Sequence, residues 1–167
     1  QLNEAGEFSF QEIVDDIRRK EALKDGKYKL SSFSESLLED LASNVHVEVF
    51  LSPIDSFPDS LLAKRKELLS LLRQMQDAAK GALRLNVHEL ESSDPLAPTA
   101  RKLGILNKAV EDFYISDKGH DVKWDRDLYF GTAFLGENRK KAIISFYNSG
   151  IRIEYELILS ILSVSGP

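Results

Sequence analysis

The chain has 167 residues, 22 Lys+Arg against 27 Asp+Glu, a formal net charge of −5, 43% hydrophobic residues and 29% charged ones. Those proportions fit one globular domain with its own core and exclude a collagen-like, wholly disordered or supercharged chain. Mild acidity argues against binding a phosphate backbone, so no nucleic-acid partner is expected; the absence of cysteine excludes disulfides, thiolate catalysis, Cys-ligated zinc and iron–sulfur clusters.

The first residue is Gln1, which reads as a processed or cut piece of a longer protein. No run approaches the ~20 apolar residues that a membrane-spanning helix needs, and no leader of the secretory type is present. Attachment to a membrane would therefore run through a segment absent from this chain.

Phe10, Ile13, Val14 and Ile17 recur at helical spacing, which predicts an amphipathic helix over Ser9–Leu23, and Gly26 stops it. Ser32 followed by Glu35 forms a capping box ahead of Leu37, Leu38 and Leu41, predicting a short helix to about Ser43. The period then changes to two. Val45, Val47, Val49 and Leu51 alternate with His46, Glu48 and Phe50, a strand signature that Ser52-Pro53 ends.

The segment Asp59–Lys80 carries Leu61, Leu68, Leu72, Met75 and Ala79 on one stripe, the strongest helical pattern in the chain, and Gly81 closes it. Leu83, Leu85 and Val87 alternate with Arg84, Asn86 and His88 as a second strand. Strand, long crossover and strand imply a parallel pair. Asp94-Pro95 opens a further helix that Leu103-Gly104 ends.

Ala109–Ile115 forms a short strand, and Ser116–Asp127 is a polar excursion. Leu128–Leu135 and Lys141–Tyr147 form a hairpin across Gly136-Glu137-Asn138-Arg139, and Ile153, Leu157, Ile158 and Ile161 mark a closing helix. The fold class that follows is α/β. It is a three-layer mixed sheet with helices on both faces, in the thioredoxin-like order βαβαββα, preceded by N-terminal helices. The domain reading is a helical extension over 1–26 and the α/β domain over 27–167.

A thioredoxin-like chain would do redox chemistry in the loop after the first strand, but this one reads Ser52-Pro53-Ile54-Asp55-Ser56-Phe57-Pro58 there, with no thiol. The scaffold is left for binding, not for an enzyme, and no cofactor is expected. Other chemistries have weak signals. His46, Glu48 and His88 allow a metal trio to be imagined, though strand histidines under a helix or at an edge are the commoner case, so no metal is expected. Asp121, Asp125 and Asp127 lack the glycine turn and terminal glutamate of a calcium loop. No G-x-S-x-G elbow, Walker loop or G-x-G-x-x-G occurs, and Ser31, Ser32 and Ser34 read as turn and cap residues.

Several short segments taken together are familiar. These are Lys27-Tyr28-Lys29-Leu30-Ser31 ahead of a helix, Val45–Leu51 followed by Ser52, Leu103-Gly104-Ile105 and Tyr129-Phe130-Gly131. Phe146-Tyr147-Asn148-Ser149-Gly150 then precedes Glu154-Tyr155-Glu156-Leu157. In that order, over roughly residues 27–163, the chain resembles the GldG-like auxiliary components of ABC-type transport systems linked to gliding motility. The opening helix Ser9–Leu23 and the excursion Ser116–Asp127 depart from the pattern.

The resemblance implies a non-catalytic domain of a membrane-anchored protein at the extracytoplasmic, periplasmic face of the bacterial cytoplasmic membrane. Its partners would be the permease and ATPase subunits or an exported substrate. Trp124 and Tyr147 are the expected partner surface, and Phe57, Phe113 and Tyr114 are further aromatic candidates. The alternative is a small-ligand or glycan-binding module in the crevice at the carboxyl ends of the parallel strands, near Ser52, Asp55, Phe57, Glu89 and Glu91. A deep polar pocket favours the module, and a flat apolar patch favours protein docking.

Overall fold

Valine at every second position commits the segment from Val45 to Leu51 to a strand with one face turned inward. In the computed structural model, which describes residues 28–115 and 121–166, that segment is β1 (Val45–Leu51), and Val45, Val47, Val49 and Leu51 are all fully buried. The elements around it are α1 (Ser32–Glu39), a 3-10 turn (Ile54–Ser56), α2 (Asp59–Ala78), β2 (Leu83–Glu89), α3 (Ala97–Leu103), β3 (Asn107–Ile115), β4 (Asp121–Leu135), β5 (Lys141–Ile144) and α4 (Ile153–Ser165). The predicted helix Ser9–Leu23 and the boundary at residue 26 lie outside the described residues.

The strands form a mixed five-stranded sheet in the order β2-β1-β4-β3, with β5 also paired to β4. As the crossover requires, β1 and β2 run parallel, from Val45 opposite Leu83 to Leu51 opposite Glu89. β4 is antiparallel to β1, and β3 and β5 are antiparallel to β4. β5 pairs with the last part of β4, from Thr132 to Leu135, while β3 pairs with Asp121–Tyr129. The Leu106 amide donates to the Ser145 carbonyl at 3.1 Å and links the two strands.

β1 reaches only as far as Phe130 of β4, which lies opposite Leu51. The stretch of β4 before Leu128, with its partner β3, is therefore a two-stranded ribbon running past the carboxyl end of β1. This corrects the expectation of a polar excursion through Asp127, since β4 begins at Asp121. Only Asp121–Trp124 alternates apolar with polar residues, and β3 supplies the cross-strand hydrogen bonds that make the segment a strand; residues 116–120 of that excursion lie outside the described residues.

The main core lies on the valine face of the sheet. There Leu38 of α1, Leu61, Leu68, Leu71, Leu72 and Met75 of α2, and Leu157, Ile161 and Val164 of α4 pack on β1 together with Phe130 and Phe134. The opposite face holds a smaller cluster, in which Ala97 and Ala100 of α3 cover Phe50, Ile105 and Tyr129. α3 is short because Gly104, at φ 102°, turns the chain left-handed after Leu103.

Beyond α3 this second face turns polar. Glu48 meets Nε2 of His88 at 3.0 Å and accepts from Asn86 Nδ2 at 3.3 Å, while the His88 ring stacks on Phe50 at 5.0 Å.

Three further expectations are corrected by one residue or a few. The cap of α1 is Ser31, not Ser32: its side-chain oxygen accepts from the Ser34 amide at 3.2 Å. α2 ends at Ala78 because Lys80 and Gly81 both adopt positive φ. β5 stops at Ile144, but Phe146 and Tyr147 continue into the core, and the Tyr147 amide donates to the Phe130 carbonyl.

Candidate functional site

Two parallel strands that stop together leave their last backbone groups and the loops that follow them around a common hollow. Here that hollow is a crevice of about 320 Å³ lined by Ser52, Pro53, Ser56, Glu91, Ser92, Ser93 and Asp127. Its volume is at the lower end of the roughly 300–1,000 Å³ usual for small-molecule sites.

Each wall has a local cause. Ser52 follows β1, and it extends the pairing with β4 by one step: its amide donates to the Tyr129 carbonyl, and its hydroxyl accepts from the Tyr129 amide, both at 2.9 Å. Pro53 cannot donate and ends the strand, and the 3-10 turn Ile54–Ser56 brings Ser56 to the wall. Opposite, the Leu90 amide donates to the Leu51 carbonyl at 3.0 Å, and the Asp94 amide closes a turn on the Glu91 carbonyl at 2.9 Å. That turn presents Ser92 and Ser93. Asn107 Nδ2 donates to the Ser92 hydroxyl at 3.2 Å and ties the turn to the start of β3, and β4 contributes Asp127 from the base of the ribbon.

Of the five residues expected at this crevice, the structure places Ser52 and Glu91 on its lining. Asp55 is exposed in the 3-10 turn and is not part of the wall. Phe57 is a core residue, only 5% exposed, packed edge-on against Phe130 with ring centroids 5.0 Å apart. Glu89, the last residue of β2, faces away from the crevice toward Arg65 of α2, 3.8 Å from Nη2.

Arg65, four residues after Leu61 and three before Leu68 on the apolar stripe of α2, is 8% exposed and stands over the Phe57 ring at 5.2 Å. Burial lowers the pKa of its guanidinium, and Glu89 opposes that shift. Its spacing places Arg65 on the buried stripe, and only its charge argues for the solvent side.

The expected partner surface changes more. Tyr147 is fully buried and its hydroxyl donates to Thr132 Oγ1 at 2.6 Å, so it belongs to the core and not to a docking face. Trp124 of β4 pairs with Asp112, and Phe113 and Tyr114 of β3 pair with Lys123 and Val122; the side chains of Trp124, Phe113 and Tyr114 lie outside the described residues. An exposed apolar stripe runs along α4, where Tyr155, Leu159 and Leu162 are 51%, 46% and 36% exposed at positions i, i+4 and i+7.

Among the described residues no group of three or more His, Asp or Glu side chains gathers as a metal site. Glu48 and His88 do meet, but His46 lies at the register position of Arg84 and does not join them. The crevice residues that sequence reasoning did not place in the site are Pro53, Ser56, Ser92, Ser93 and Asp127. The signal that could have found Ser92 and Ser93 is the run Glu91-Ser92-Ser93-Asp94, a turn composition directly after a parallel strand.

The chain belongs to the family described as Domain of unknown function (DUF7088), whose model matches residues 24–134. No curated protein and no solved structure matches it.

Proposed function

We propose that this chain is a non-catalytic binding domain of a membrane-anchored ABC-type transport auxiliary protein, and that it holds an exported substrate or similar small polar ligand in the crevice. The observation that carries this reading is the crevice itself, a polar hollow at the carboxyl ends of β1 and β2. Open α/β sheets take their ligands at that end. Binding without turnover is supported by the Ser52 hydroxyl, which is engaged with the Tyr129 amide, and among the described residues no histidine lines the crevice.

The transport assignment, the extracytoplasmic location and the permease and ATPase partners rest on the resemblance of the segments between residues 27 and 163. A thioredoxin-like core is part of the same proposal. Its support is the order β2-β1-β4-β5 with β4 alone antiparallel to its neighbours, β3 being an added strand of the ribbon.

A second reading, protein docking, is favoured by the exposed stripe Tyr155, Leu159 and Leu162 on α4. One experiment separates the two. A photoreactive residue is placed at Ser93, or at Leu159, in the full-length protein in its native membrane. The crevice reading expects a small-molecule adduct at Ser93 by mass spectrometry; a protein cross-link there and no adduct would overturn it. Capture of a permease or ATPase subunit from Leu159 supports docking, and its failure at both positions removes the transport assignment.

A further inference from the structure

Three helices pack on the valine face of the sheet, whereas among the described helices only the short α3 covers the other face. α3 ends at Gly104, where a built Cβ would meet Ile143 Cγ2 at 3.5 Å. Past that point the registers set two rows across four strands: Arg84, His46, Leu135 and Lys141 in one, and Asn86, Glu48, Ala133 and Ile143 in the other. Registered partners share a face. Ala142, between Lys141 and Ile143, packs on the main core, so its two neighbours turn to the opposite side. There Arg84, His46, Asn86 and Lys141 are exposed, and Leu135 and Ile143 are half-buried.

Parallel strands ordinarily have helices on both faces, yet His46 is exposed on β1, which lies between β2 and β4. The open area has an ordered pattern. Leu135, Ala133 and Ile143 form an apolar strip along β4 and β5, and basic side chains stand on both sides of it: Arg84 and His46 toward the β2 edge, Lys141 at the β5 edge. At the usual strand spacing the row from Arg84 to Lys141 spans about 14 Å. The acid within these two rows is Glu48, and its carboxylate is held by Asn86 Nδ2 at 3.3 Å and His88 Nε2 at 3.0 Å. In a chain of net charge −5 this face is thus locally basic.

We propose that this face docks an amphipathic helix of a partner protein, one with an apolar stripe and acidic flanks. The helix supplies the missing layer: its stripe lies along Leu135, Ala133 and Ile143, and its carboxylates meet Arg84 on one side and Lys141 on the other. Charge complementarity selects the partner, and burial of helix against sheet holds it. A membrane surface fits less well, because insertion into the headgroup region needs apolar side chains that protrude, and Leu135 and Ile143 are half-buried. The face is separate from the crevice and from the α4 stripe, so the proposal stands or falls independently of both.

Amide NMR of the whole 167-residue chain at neutral pH tests this. The probes are an amphipathic helical peptide of leucine, alanine and glutamate about 18 residues long, the same peptide with lysine in place of glutamate, and phosphatidylglycerol vesicles. The expected result is movement of the His46, Leu135 and Lys141 amides by the glutamate peptide, with binding roughly tenfold or more weaker for the lysine peptide. The double variant Arg84→Glu, Lys141→Glu, at two exposed positions, keeps its amide spectrum away from the two rows and loses that response. Equal binding of the lysine peptide overturns the proposal, as does a response to the glutamate peptide that survives in the double variant. Silence toward both peptides overturns it too. Movement of the same amides by the vesicles alone would assign the face to lipid, and contacts from residues 1–27 to Leu135 in the unbound chain would show that the chain covers its own face; either result replaces the partner helix.

Discussion

The Ser34 hydroxyl donates to the Glu154 carboxylate at 2.7 Å, joining the first described helix to the last across 120 positions of the chain. Ser31 adds its hydroxyl at 2.6 Å and its amide at 3.3 Å. One carboxylate, only 8% exposed, thus sits at the N-terminal end of both α1 and α4, where unpaired amides and the helix dipoles favour negative charge.

Glu154→Ala should therefore cost more than an exposed glutamate would. It leaves the two serine hydroxyls and the Ser31 amide without their acceptor in a buried place, and a loss of about 3 kcal/mol is expected. Urea unfolding checks it. A loss under about 0.5 kcal/mol would show that water replaces the carboxylate without penalty.

Tyr147 makes stability depend on alkaline pH. Burial, with Glu156 nearby, raises its phenol far above the ordinary 10.0, while the bond to Thr132 opposes this. Below pH 10 both folded and unfolded chains keep the proton, so the contribution is complete. Above about 10 the unfolded chain releases it and the folded chain does not, so stability falls by up to about 1.4 kcal/mol per pH unit for this group. Tyr147→Phe should remove that part of the slope between pH 10 and 11.5 while costing about 1 kcal/mol at pH 7 through the lost bond to Thr132. An unchanged alkaline slope would contradict the assignment. Tyr28, also raised by burial, accounts for a residual slope.

The main sheet was legible in the sequence because its inward positions are nearly all aliphatic. Val45, Val47 and Val49 announce β1, and the long α2 pattern forces the parallel pairing with β2. The ribbon was not legible. Asp121–Asp127 mixes charges with Val122 and Trp124, and hydropathy reports burial, whereas a ribbon beyond the core is held by cross-strand hydrogen bonds. The crevice was legible in place and only partly in membership. Strand ends point to Ser52 and Glu91, but which loop residues turn inward depends on the 3-10 turn after Pro53 and the turn at Glu91–Asp94. Tyr147 misled because a terminal aromatic next to Asn148 and Ser149 looks exposed, yet the chain past β5 folds back over Phe130.

Arg65 offers a reversed expectation, in which removing a charge does not destabilise. Its Nε is buried with no acceptor, and its counter-ion Glu89 is 3.8 Å away with a side chain 56% exposed. Desolvation of the guanidinium is thus poorly offset. Arg65→Met keeps the aliphatic stem over Phe57 and should leave stability within about 1 kcal/mol of the parent or raise it, whereas Arg65→Ala, which also opens a cavity, should cost about 2 kcal/mol or more. Chemical denaturation of both variants decides the matter. A Met variant as damaged as the Ala variant would mean that the cation itself stabilises this corner.

Gly136 is fixed by space, not by backbone dihedral. A Cβ built on it would lie 2.0 Å from the Val164 carbonyl oxygen and 2.9 Å from its carbon, and these are backbone atoms near the end of α4 that cannot swing aside as a side chain could. The close approach is what seats α4 against the turn between β4 and β5, where the Lys140 ammonium also donates to the Gly166 carbonyl at 2.7 Å. Gly136→Ala should therefore push α4 off the sheet and cost about 3 kcal/mol or more. Gly150 has nothing within 4 Å of its built Cβ, so Gly150→Ala should change stability by less than about 0.5 kcal/mol. Thermal melts of the two variants beside the parent give the comparison; similar melts would mean that α4 is not pinned at Val164.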